Sequence, residues 1–146
     1  MAGNKKSSRK SANVRRTLLL STPLTTESEA GLLNIKPYLR LEEFIERNGS
    51  LQGWRDISFR LSVGLEFADI FFKEEEKEVL MLAVNAICDV KDRWSRTDNK
   101  WGISDEEIQY IRQGLEVTDG MQDLTTRKEQ MQVYIKVDKL IKQQSK

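Results

Sequence analysis

From Pro37 onward the hydrophobic positions recur with a helical period, and punctuating residues divide them into segments. Pro37 can open a helix at its first position. Leu39, Leu41, Phe44 and Ile45 follow at mixed three- and four-residue spacing until Asn48-Gly49 supplies a stop, so a first helix is expected over roughly 37–48. From Ser50, Trp54, Ile57, Leu61, Leu65, Ala68 and Phe72 form one stripe, while Phe59, Val63, Phe67 and Ile70 form another. Two apolar faces imply burial between neighbours. Gly64, beside the first stripe, either permits close backbone approach or marks a break into two shorter helices.

Glu74, Glu75 and Glu76 stand where acids favour a helix N-terminus through the backbone dipole. The run from Val79 to Trp94 that follows is apolar nearly all round, which predicts a central helix holding Cys88 as a small buried hydrophobe. A turn-rich connection spans 95–102. Ser104 and Glu107 then satisfy a capping box, with Ile103 and Ile108 placed for a hydrophobic staple. That helix ends near Gly114 or continues toward Met121. Thr126 and Glu129 offer a second box ahead of Met131, Tyr134, Ile135, Val137, Leu140 and Ile141. The expected fold is all-α, an irregular bundle of four to six helices.

Charge changes this picture at one end. The net charge of +1 conceals six basic residues and no acid in the first 16 positions: Lys5, Lys6, Arg9, Lys10, Arg15 and Arg16. With few apolar residues, 1–16 reads as a disordered basic tail, 17–36 as an unassigned connecting segment and 37–146 as the helical domain. The apolar run Leu18–Leu20 is too short for a signal peptide, and no stretch approaches the roughly 20 apolar residues of a membrane helix. A cytoplasmic protein without a membrane role is expected.

Composition removes much of the chemistry. The chain of 146 residues contains no His and one Cys, which excludes Ser-His-Asp and Cys-His pairs, an intrachain disulfide and thiolate zinc sites. The acids, among them Asp89, Asp92, Asp105, Glu106 and Glu107, are not set across a cleft by any pattern, and no Gly-rich phosphate loop or EF-hand series occurs. Neither catalysis, a cofactor nor a small-molecule substrate is therefore expected.

Two binding readings are left. In the first, the protein meets a protein partner or a ribonucleoprotein complex through Trp101, flanked by Arg93, Arg96 and Lys100. An indole in a polar connection can anchor a partner or fold back over the bundle end, and folding back is the more ordinary of the two. In the second, the basic tail provides an electrostatic arm for nucleic acid. Residues 57–72 then supply a degenerate helix-turn-helix, with Ser62–Gly64 as its turn. Glu66 and Asp69 on its second helix would repel a duplex.

Two stretches add context: Arg60-Leu61-Ser62-Val63-Gly64-Leu65, and the run through Trp101-Gly102-Ile103, Ile108, Gly114-Leu115 and Thr118 to Thr126. Their cadence resembles a loose group of small uncharacterised proteins of proteobacterial plasmids and prophages. The resemblance transfers no catalytic or binding residue. It implies a small, cofactor-free accessory protein that inhibits or regulates a host or anti-phage defence complex.

Overall fold

The computed structural model describes residues 27–71 and 73–144, with side chains from Asn34 to Gln143 apart from Phe72. Five helices and no strand are found among these residues: α1 (Glu27–Ile45), α2 (Leu51–Ile70), α3 (Glu74–Arg96), α4 (Asp105–Asp123) and α5 (Arg127–Gln144). The fold is all-α, as the periodicity predicts. The chain divides into two compact units, one of Asn34–Leu124 and one of Met1–Leu33 with Thr125–Lys146. The basic positions Lys5 to Arg16 lie outside the described residues.

In the first unit α2, α3 and α4 pack against one another pairwise, with residues 34–45 of α1 beside them. Helix α1 corrects the expected start at Pro37, which lies inside it. Proline removes one backbone donor but fits helical φ, and Leu41 and Phe44, both almost wholly buried, hold this part of α1 in place. Its end is also earlier than the Asn48-Gly49 signal suggests. Arg47 turns left-handed at φ 65°. Its N–H donates to the Phe44 carbonyl at 3.1 Å and that of Asn48 to Glu43 at 2.7 Å, the bonding of a Schellman motif with arginine where glycine is usual. Gly49 serves a different purpose: a Cβ there would lie 2.5 Å from the Phe44 ring and 3.0 Å from Trp101 Cβ.

Helix α2 overturns the helix-turn-helix reading, because 51–70 is one uninterrupted helix. Ser50 caps it, its hydroxyl accepting from the Gly53 N–H at 3.0 Å. Within the supposed turn, the Ser62 hydroxyl donates to the Ser58 carbonyl at 2.9 Å and the helix continues. Gly64 is there for close approach: a Cβ would run into Thr118 on α4 and Leu80 on α3. The more deeply buried helix is α2, not the dense run 79–94. Ile57, Leu61, Val63 and Phe67 are fully enclosed on it, whereas α3 buries Leu80, Ala83, Ala86, Ile87 and Val90 along one side and leaves Met81 and Leu82 42% and 47% exposed. Apolar density counts side chains without recording their direction, and Asn85, Asp89 and Asp92 mark the wet side of α3.

That same side carries Cys88, which is exposed rather than buried. Partial shielding of its thiol, then the Asp92 and Asp89 carboxylates, raise its pKa. Trp54 and Trp94, which fall on the apolar stripe of α2 and the apolar run of α3, are both half-buried. The Trp54 indole N–H donates to the Ile87 carbonyl at 2.7 Å, and Lys91 Nζ lies 4.4 Å from the ring centroid.

Helix α4 has the predicted capping box and runs through Gly114 to Asp123. In the second unit, Thr126 and Glu129 form the other box, the Thr126 N–H donating to Glu129 Oε1 at 2.9 Å and the Glu129 N–H to Thr126 Oγ1 at 3.2 Å. Val133, Tyr134 and Val137 are buried on α5, while Leu140 and Ile141 are exposed.

Candidate functional site

The predicted contact residues lie where α3 gives way to α4. After Arg96 the chain must reverse, and Asp98 and Asn99 do so at φ 59° and 61°, left-handed angles that their short polar side chains tolerate. The Asn99 N–H donates to the Trp94 carbonyl at 3.1 Å. Thr97 Oγ1 lies 2.7 Å from the Arg93 carbonyl and 3.2 Å from that of Lys100, which ties the turn to the helix it leaves.

This reversal lays Trp101 against Trp94, with ring centroids 4.8 Å apart and planes at 14°. Phe44 meets Trp101 edge-on at 5.3 Å and 89°. Offset stacking and edge contacts of this kind suit the quadrupoles of the rings and add to their burial. The indole therefore folds back and is half-buried.

Arg93, named with Trp101 from sequence, is occupied within the unit. Its Nη2 donates to Glu107 Oε1 at 2.5 Å and to the Gly102 carbonyl at 3.1 Å. Glu107 Oε1 also accepts from the Ser104 N–H at 2.8 Å, so one carboxylate joins the α4 cap to the end of α3. Arg96 and Lys100 are different. Both are exposed, and no salt bridge to either is found among the described residues. The Arg96 Nε donates to the Asp92 carbonyl at 3.3 Å.

Burial pushes the Glu107 carboxyl upward, but the hydrogen bonds from Arg93 and Ser104 and the guanidinium charge outweigh it and hold the pKa below its ordinary 4.5. The folded value is thus lower than the unfolded one. The resulting stabilisation is complete above the ordinary value and is lost as the pH falls through the folded value. Urea midpoints measured between about pH 5 and pH 3 should fall less steeply in Glu107→Gln than in the parent, and parallel curves would show that the bridge contributes nothing there.

A second cluster was missed by sequence reasoning. Arg60, 4% exposed on α2, donates from Nη1 to Gln122 Oε1 at 2.6 Å and from Nη2 to Asp119 Oδ1 at 2.7 Å. Asn34 Oδ1 accepts from the same Nη2 at 3.2 Å, and the Tyr38 hydroxyl donates to Asp119 Oδ2 at 2.9 Å. Burial, then the hydrogen bond and charge of Asp119, raise the Tyr38 pKa. The signal was present: Arg60 stands three residues after Ile57, on the inner period of α2. Its hydrogen-bond partners lie on α1 and α4, where no local pattern connects them to it.

Among the described residues no cluster of three His, Cys, Asp or Glu side chains is placed to hold a metal ion, and no helix is long and apolar enough to cross a membrane. No protein-family model, curated protein or solved structure matches the chain.

Proposed function

We propose that this chain is a non-enzymatic interaction protein of the cytoplasm, binding a protein or ribonucleoprotein complex through the corner of Trp101, Arg96 and Lys100, with Arg93 bracing it. The observation that carries the reading is the pairing of a half-buried indole with two exposed cations that make no salt bridge among the described residues. Trp and Arg are the side chains most enriched at the energetic centres of interfaces. Arg93 contributes by fixing the turn through Glu107 and Gly102. The more specific form, implied by the resemblance, is a mobile-element inhibitor that occupies a surface of a host or anti-phage defence complex.

The test uses the full chain carrying Arg96→Glu and Lys100→Glu, two exposed changes that leave the aromatic stack intact. A partner complex captured by the parent should be lost by the variant at equal helical content. Capture of the same species at the same affinity removes the corner from the interface. Parallel titration with DNA and RNA over a salt series, using the parent and a chain with Lys5, Lys6, Arg9, Lys10, Arg15 and Arg16 replaced by Ser, tests the nucleic-acid arm. Sequence preference that survives those replacements would displace the protein-partner reading.

A further inference from the structure

Residues 34–45 of α1 are joined to α2 and α4 largely by polar links. Arg40 Nε donates to Asp56 Oδ2 at 2.8 Å, and Lys36 Nζ lies 3.8 Å from the same oxygen. Tyr38 and Asn34 make the bonds to Asp119 and Arg60 described above, and Arg112 lies 3.4 Å from Glu42. Against these, the segment commits only Pro37, Leu41 and Phe44 to the buried interior. The α2–α4 trio, by contrast, is close enough that Gly64 and Gly114 leave no room for a Cβ.

Opening free energies are lowest where few apolar contacts are buried, and the links through Lys36, Glu42 and Arg112, side chains about half exposed, add little and are screened by salt. A segment held in this way opens before the trio does. Phe44 belongs to it, and its ring packs perpendicular to that of Trp101 with centroids 5.3 Å apart.

We propose that residues 34–45 form a strap that opens from α2 and α4 while the trio stays folded, and that opening uncovers Trp101 for a partner. The second clause rests on the reading of the corner given above.

Native-state hydrogen exchange of the full chain across a urea series tests the first clause. Amides of 41–45 should exchange through an opening with a small urea dependence, and those of 57–68 only through the large dependence of global unfolding. Ile87→Val should accelerate 57–68 about fivefold and leave 41–45 unchanged, because it weakens the trio equally with the strap open or closed. Tyr38→Phe should accelerate both segments, since closed strap contacts stabilise the native state against either opening. One urea dependence shared by the two segments, or equal acceleration of both by Ile87→Val, overturns the strap.

For the second clause, Tyr38→Phe, Arg40→Gln and Leu41→Ala are combined to populate the open state. Acrylamide quenching of indole fluorescence should rise, and the rise should vanish when Trp101 is also replaced by Phe. Unchanged quenching overturns the uncovering. A strap that passes both tests, beside Arg96→Glu and Lys100→Glu variants that keep the partner, would place the failure in the corner reading alone.

Discussion

Gly64→Val is expected to cost about 3 kcal/mol, read as a lower urea midpoint at unchanged slope. A Cβ at this position would run into Thr118 Oγ1, would lie 2.8 Å from Leu80 Cδ2 and would come within 3.2 Å of Thr118 Cβ. The leucine end can swing aside, but Thr118 is fully buried and its hydroxyl already donates to the Gly114 carbonyl at 2.9 Å. The helices must therefore separate, and separation loosens Leu61, Leu80 and Leu115, all fully enclosed. Gly120→Ala provides the control within α4. Nothing lies within 4 Å of a Cβ there, so it should gain about 0.5–1 kcal/mol from helix propensity alone. Equal midpoints for Gly64→Val and the parent would mean that α2 and α4 do not meet as described.

The same glycine shows where sequence reasoning was limited. No described glycine has a positive φ, so the value of Gly64 lies in a missing side chain. A missing side chain looks the same in sequence whether it faces a neighbouring helix or breaks its own. Signals confined to one turn were legible: the boxes at Ser104 and Thr126, the acids opening α3, and the periods of α2 and α4. Facts that depend on distant residues were not. The burial of α2 over α3, the exposure of Cys88 and the left-handed Arg47 follow from what packs nearby rather than from local pattern.

The corner was half legible for the same reason. Its turn chemistry at Asp98-Asn99 and the choice between folding back and facing outward for Trp101 could be read from the chain. The outcome depended on Phe44 and Trp94, which only the fold brings to it. Arg93 stands near Trp101 in sequence, and its guanidinium meets Glu107, 14 residues on and on another helix. Proximity in sequence locates the region, and the Glu107 contact of Arg93 comes from the fold.

Arg60→Ala tests the non-local part of the fold most directly and should cost ~2–4 kcal/mol. Removing the guanidinium takes a hydrogen-bond donor from Asp119, Gln122 and Asn34 at once. Breaking a fully buried ion pair costs about 3–5 kcal/mol, because the remaining charge stays unpaired in a poor solvent. Asp119 is 30% exposed and keeps its bond from Tyr38, so water and the phenol soften the loss toward the lower end. Arg60→Met separates the two contributions. It restores much of the buried stem while leaving the carboxylate without its cation, so the part of the loss it does not recover belongs to the polar network. In the double-mutant cycle with Asp119→Asn, the two changes should be strongly non-additive, since each already removes the shared contact. Arg112→Ala, which disrupts a pair at 3.4 Å with both side chains about half exposed, should cost less than ~1 kcal/mol. If Arg60→Ala proves no more harmful than Arg112→Ala, the region is held by the packing around Arg60 and not by its ion pair.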